Sequence, residues 1–320
     1  MKNIIGIDIS KEYFDAFMNN NVIRFKNDLN GFTKFIKSIP LESHCIMEST
    51  STYCYKLAYF ILNSGSIVYI INPLRIKHFT RMNLSKCKTD KQDAINITKY
   101  AEKMFDELTP FIPASKNLEE CKQIYNSIDQ FDKHRIALIN QLESIENHNF
   151  QNKILVKTLK NSIKNLEKEI EKLEKLAEDL IKVEHSKMLE DISSIKGIGT
   201  KTAALIIAKT NGFSNFEDSK KVSSFFGCCP RVHESGSSVK SKGMISKIGH
   251  SDIRTRLYMC SLSAIKHNKR CKDLYIRLIS KGKAKKVAML AVANKLISQI
   301  FAIAKSGEKY IDCYEKTLAY

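Results

Sequence analysis

Glycine and proline are thinly spread along this chain, twelve and five among 320 residues. An actin-like or sugar kinase could open on the same IIGIDIS segment, residues 4–10, but the further Gly-rich phosphate loops such a protein needs are hard to find among so few glycines. Cysteine excludes more. Nine is an odd number, the residues are scattered and no C-x-x-C pair occurs, so neither a disulfide framework nor a zinc site is indicated. The adjacent Cys228 and Cys229 read as buried small apolar residues. No apolar stretch reaches the ~18 residues that a membrane span requires. Met1 also runs almost directly into a strand-like segment, leaving no room for a signal peptide. The expectation is a soluble protein of a reducing cytoplasm with no membrane association.

Acidic residues are the other shortfall. Asp and Glu number 34 against 52 Lys and Arg, a formal charge of +18. The excess is concentrated, because from residue 235 to 286 fourteen cations face only Asp252 and Asp273. Such a surface suits a polyanion, since each neutralised phosphate releases counterions. An apolar content of 43% and this length allow two or three domains with their own cores.

Along the chain, residues 3–10 (NIIGIDIS) form a short apolar run that carries Asp8, and two more strand-like runs follow at 13–18 and 22–25. Helical spacing of Phe32, Phe35 and Ile36 comes next, then a strand at 45–47 ending in Glu48, a helix over 53–62 and a strand over 66–71 closed by Asn72-Pro73. Three strands, helix, strand, helix, strand is the element order of a ribonuclease H-like α/β fold. In TDKQDAINITKYA, Thr89 or Asp90 can cap a helix, and the carboxylates of Asp90 and Asp93, three apart, share one side of it. Asp8, Glu48 and the pair Asp90 and Asp93 are therefore four hard oxygen donors from separate elements. That is the ligand chemistry of Mg²⁺, or Mn²⁺, acting on a phosphodiester.

From 116 to 187 glycine and proline vanish. Leu159, Ile163, Leu166, Ile170, Leu173, Ala177 and Leu180 alternate by four and three, predicting a coiled-coil seam, while polar residues 147–152 predict a hairpin or kink. An exposed seam of that length predicts a homodimer or tetramer. In ISSIKGIGTKTAALIIA, Gly197 and Gly199 between helical runs have the form of a helix-hairpin-helix, with Lys201 beside a turn that presents N–H groups to phosphate. The segment FFGCCPRVHESGSSVKSKGMISKIG, residues 225–249, joins the hydroxyls of Ser235, Ser237 and Ser238 to Gly236 and to Arg231, Lys240, Lys242 and Lys247. Small hydroxyls that can attack or bind phosphate stand there beside cations that offset its charge. Amphipathic helices are expected over 252–267, with Arg254 and Arg256, and over 285–303. His267 reads as a surface or phosphate-contacting residue rather than a metal ligand, because no second ligand sits at helical spacing.

Taken together, GIDISKEYFD, MES, KTDKQDA, IKGIGTKTAA and the segment from FFGCCPRVHESGSS to SAIKHN resemble the DEDD-type transposases of one class of bacterial insertion sequences, the family that includes bridge-RNA-guided serine recombinases. The resemblance covers nearly the whole chain. It implies a RuvC-like domain over residues 1–114, coiled-coil helices over 115–188 and a mainly α transposase domain over 189–320. It places the metal carboxylates on Asp8, Glu48, Asp90 and Asp93 and the nucleophile on Ser235. The partners it implies are donor DNA, target DNA and a guide RNA. Two other readings leave something unexplained: a water-using nuclease of the resolvase type ignores the Ser235 segment, and a binding protein without catalysis ignores the carboxylates.

Overall fold

The computed structural model describes residues 3–49, 52–82, 89–231, 234–235, 239–240 and 244–312. The chain divides into two compact units, residues 1–113 and 114–320.

The first unit is built on β1 (Ile4–Ile9), β2 (Tyr13–Met18), β3 (Asn21–Lys26), β4 (His44–Glu48) and β5 (Ile67–Ile71), in the sheet order β3-β2-β1-β4-β5. β1, β2 and β3 pair antiparallel, whereas β4 and β5 join parallel, which requires the crossovers that α1 (Leu29–Ser38) and α2 (Tyr53–Asn63) provide. Both faces of the sheet are covered. Phe14, Phe32, Phe35, Leu57 and Ile61 fill one core, and Ile46, Tyr69, Phe79, Ile97 and Tyr100 fill the other. Asn72-Pro73 does more than end β5. Proline takes the first position of a helix, α3 (Pro73–Met82), and Asn72 Oδ1 accepts the Leu74 N–H at 2.9 Å. The helix α4 (Asp90–Lys103) starts behind Thr89, whose hydroxyl accepts the Gln92 N–H, so Thr89 is the cap and Asp90 the first helical residue.

The second unit is mostly helical. α5 (Lys116–Glu146) and α6 (Lys153–Ser193) form a long hairpin whose turn falls on the polar residues 147–152. The seam expected to meet another chain is largely covered within this one: Leu159, Ile170 and Ala177 are buried, and Leu173 and Leu180 pack against the core that holds Leu118, Cys121, Tyr125 and Ile128 of α5. The apolar-stripe argument for an oligomer therefore loses its premise. α7 (Thr200–Thr210), α8 (Ser219–Phe226), α9 (Ser251–His267), α10 (Lys269–Ser280) and α11 (Lys285–Ser306) complete the same core. Among the described residues α11 is the one helix long and apolar enough to cross a membrane. Ala288, Val292, Ala293, Leu296, Ile297 and Ile300 of that helix are buried in the protein core.

Candidate active site

Glycine at position 6 decides how close α4 comes to the sheet. A Cβ there would lie 2.3 Å from Thr98 Oγ1 and 2.5 Å from the Ala94 carbonyl, and the Gly6 N–H instead donates to Thr98 Oγ1 at 2.9 Å. Side chains alternate along β1, so Asp8 shares the face on which Gly6 receives α4. The first turn of α4 carries Asp90 and Asp93. Glu48 ends the adjacent parallel strand, one step beyond the Ile7–Met47 register pair. These elements converge electrostatically. The Asp8 carboxyl is pushed up to about 6, first by burial and then by the negative charges of Asp93, Asp90, Glu48 and Asp15.

Asp15 and Arg24 were missed by sequence reasoning. The register aligns Asp8 with Asp15 and Asp15 with Arg24 across three strands, and Asp15 is only 3% exposed. Arg24 Nε and Nη2 donate to Asp15 Oδ1 and Oδ2 at 2.9 and 2.7 Å, and Nη2 also reaches Asp90 Oδ2 at 3.2 Å. One guanidinium thus neutralises the buried acid and tethers the start of α4 to the sheet. The signal available in the sequence was a charged pair at alternating strand positions inside an otherwise apolar meander. All the carboxylates around Asp8 are oxygen donors of the hardness Mg²⁺ takes, and their mutual repulsion favours a cation among them. Among the described residues, however, no three acids, histidines or cysteines are gathered closely enough to hold an ion.

In the second unit, the segment after α8 pairs with itself beyond a tight neck. The neck forms where Gly227 and Gly249 approach: a Cβ on Gly249 would lie 2.2 Å from the Phe225 carbonyl, and both glycines have positive φ. The Lys247 N–H donates to the Gly227 carbonyl and the Ser246 N–H to that of Cys229. Beyond the neck β6 (Pro230–Arg231) pairs with β9 (Met244–Ile245), and further out β7 (Glu234–Ser235) pairs with β8 (Val239–Lys240), setting Ser235 opposite Val239. Lys242, Gly236, Ser237 and Ser238 lie outside the described residues. Cys228 is buried, with its thiol pushed up to about 11 by burial, while Cys229 is half-buried.

Two transposase family profiles match this sequence. One, of the DEDD type, covers residues 5–147, and the other, described as the IS116/IS110/IS902 transposase family, covers residues 189–276. Both parts of the chain thus match transposases of insertion sequences. It is 28% identical to the pilin gene-inverting protein of Moraxella bovis over 97% of this chain and 98% of that one. It is also 31% identical to the transposase for insertion sequence element IS1111A of Coxiella burnetii, over 37% of this chain and 33% of that one. Transposases of this kind bind DNA and cut and rejoin its strands, and their DEDD domains typically depend on divalent metal.

The residues expected to contact DNA differ in what they do inside the protein. Arg231 and Lys247 are exposed on the hairpin and its neck. Lys201, Arg254, Arg256 and Gly197 have work inside the protein. Lys201 Nζ and Arg256 Nη2 donate to the two oxygens of buried Glu174 at 2.7 and 2.8 Å, and Arg254 Nη1 donates to the Phe226 carbonyl at 2.9 Å. Gly197 has φ +103°, and a Cβ there would lie 2.8 Å from Ala264 Cβ, so its glycine is required for packing against α9. Gly199, the N-cap of α7, has open space about it and is exposed. His267 is exposed in the last turn of α9.

Proposed function

We propose that this transposase exchanges DNA strands through a covalent serine–DNA intermediate, with a RuvC-like first unit supplying metal-binding carboxylates. The arrangement that carries the metal half is the pairing of β1, with Asp8, against β4, which ends in Glu48, and the close approach of α4, with Asp90 and Asp93, to the same face at Gly6; burial and these charges raise the Asp8 carboxyl. Asp8, Glu48, Asp90 and Asp93 would hold Mg²⁺ or Mn²⁺, which would polarise the phosphate and offset the charge of the pentavalent transition state. Ser235 Oγ attacks phosphorus, an Oγ–P bond forms and one deoxyribose P–O bond breaks. The serine proton is lost, and the departing deoxyribose oxygen takes one up. Because the phosphoester energy is kept in the Oγ–P bond, a hydroxyl of a second strand can reverse the step and complete exchange without a nucleotide cofactor.

Two features support the serine rather than water as attacking group. Ser235 lies on β7, paired with β8, beyond a glycine-tightened neck in the most basic stretch of the chain. A relative aligned over nearly its full length is named for inverting a gene, which fits rejoining better than hydrolysis. In this reading Arg231, Lys240, Lys242, Lys247 and the Gly197–Gly199 turn, in a helix-hairpin-helix role, contact DNA phosphates. A guide RNA bound to the basic chain selects donor and target, and more than one copy acts together. The experiment traps the reaction on a nicked cognate substrate, denatures it and assays for a protease-sensitive DNA adduct. The adduct is expected with wild-type protein and absent in Ser235→Ala. Metal-dependent cleavage without an adduct in any variant overturns the serine reading in favour of a water-using nuclease, and RNA sequencing of co-purified nucleic acid tests the guide.

A further inference from the structure

Most of the second unit's cations near its core are already engaged. Lys196 pairs with Asp312, Lys201 and Arg256 with Glu174, Lys209 with Asp252, and Lys305 donates to the Phe213 carbonyl. The corner between α10 and α11 differs. Arg277, Lys281, Lys283, Lys285 and Lys286 fall within the last turn of α10, the connecting turn and the first turn of α11, and all five are exposed. Among the described residues none of them makes an ion pair, and no Asp or Glu occurs between Asp273 and Glu308.

The corner is also rigid. The Gly282 N–H donates to the Ile279 carbonyl at 2.9 Å and the Lys283 N–H to that of Leu278 at 3.1 Å, while Gly282 takes φ +71° with nothing within 4 Å of where its Cβ would be. Behind it, Cys271 of α10 and Val292 and Leu296 of α11 are anchored in the core. Five like charges on a fixed turn repel one another, so the arrangement costs stability unless an anion is shared among them.

We infer that this corner is a second DNA-binding surface, separate from the serine hairpin, that grips the phosphate backbone of duplex DNA without reading sequence. The inference rests on the chain being a DNA-acting transposase. Its chemistry favours duplex over unpaired strands. Protein surfaces that hold single strands stack bases on exposed aromatic rings. The large exposed apolar residues here are the aliphatic Ile276 and Val287, while Tyr275 packs against the core. Lysines on flexible stems suit phosphates as point charges, and phosphate contacts fix position without carrying sequence information.

The test measures binding of the full chain to an unrelated duplex by fluorescence anisotropy across a KCl series. Each lost phosphate contact lowers the slope of log K against log[KCl] by about 0.9. Lys281→Gln, Lys283→Gln, Lys285→Gln and Lys286→Gln combined should therefore flatten the slope by about 3.6 and weaken binding more than tenfold at low salt. A control of equal charge change on exposed α6 lysines (Lys157, Lys164, Lys168 and Lys175 to Gln) should leave the slope within about one of wild type. Arg277→Lys, which keeps its charge, should leave it unchanged. An unaltered slope in the combined variant, an equal loss in the control, or a loss seen with single-stranded DNA or duplex RNA but not duplex DNA would each overturn the inference. Those outcomes leave the Ser235 adduct assay untouched, so failure here is distinguishable from failure of the proposed chemistry.

Discussion

Glu174 should be worth about 2–3 kcal/mol to the second unit, and it is the sharpest test of how the unit is held together. The carboxylate is 8% exposed on α6 and receives Lys201 from α7 and Arg256 from α9, so one acid ties three helices. Burial alone would raise this carboxyl, yet the two hydrogen bonds and the two positive charges outweigh it and hold the group below the usual glutamate range. A hydrogen bond to a charged group contributes about 1.5–3 kcal/mol. The Lys201 side chain is 53% exposed, so its arm is discounted to under ~1 kcal/mol, whereas the Arg256 side chain, 25% exposed, keeps most of its value. Glu174→Gln preserves shape and removes the charge.

For a unit of this size the loss corresponds to a drop of roughly 5–10 °C in unfolding temperature, read by circular dichroism together with urea midpoints at pH 7. The sign with pH follows from the depressed folded pKa. The stabilisation is fully present above the unfolded value near ~4.3 and is lost as pH falls through the lower folded value, so wild type and Glu174→Gln should converge in acid. A variant within about 0.5 kcal/mol of wild type at pH 7, or a difference that persists undiminished in acid, would refute the reasoning.

Other consequences are open to direct measurement. Asp8→Asn and Asp93→Asn should each lower Mg²⁺-dependent cleavage by at least ~10²-fold, and EDTA should stop wild-type cleavage; wild-type rates in either variant or in EDTA would remove the metal assignment. Gly6→Ala should destabilise the first unit by about 1–3 kcal/mol and abolish cleavage, because the new Cβ drives α4, with Asp90 and Asp93, off the sheet; urea titration and a cleavage assay read both. Leu166→Glu with Leu173→Glu should lower helicity and melting temperature by opening the α5–α6 hairpin, and light scattering should show no dissociation attributable to that seam. Arg231→Gln and Lys247→Gln should each reduce the DNA salt slope by about one, whereas Arg256→Gln should mainly lower stability, since its guanidinium is spent on Glu174.

The first unit was readable because short strands end in chemistry. Asp8 and Glu48 stand at the ends of apolar runs that can only be buried strands, and the Thr89 cap with Ala94, Ile97 and Ala101 announces the helix that brings Asp90 and Asp93. What escaped was information shared between strands. Asp15 looks like an outward-facing polar residue until the register sets it between Asp8 and Arg24, and no spacing along the chain encodes that row. The helices α3, α8 and α10 escaped for a different reason. Their caps, Asn72, Asp218 and Asn268, sit in polar stretches that read as turns, although each side chain accepts an N–H from the following helix.

Cations show the same limit in a form that bears on function. Composition tells how many lysines and arginines a segment holds, but not which of them are free to meet a phosphate. Lys201 and Arg256 occupy promising places in the sequence, beside a glycine turn and on a basic helix, yet one buried glutamate eighty-two residues from Arg256 claims both. Arg254 is drawn to the Phe226 carbonyl at the C-terminal end of α8. Exposed cations that make no ion pair among the described residues include Arg231 and Lys247 of the hairpin segment and the five of the α10–α11 corner. A transposase must hold a duplex while its reacting groups are engaged elsewhere on it. In the serine reading proposed above, the exposed cations of the hairpin segment and of the α10–α11 corner would meet that need, because the corner's grip on phosphates would persist whichever strand is joined to Ser235.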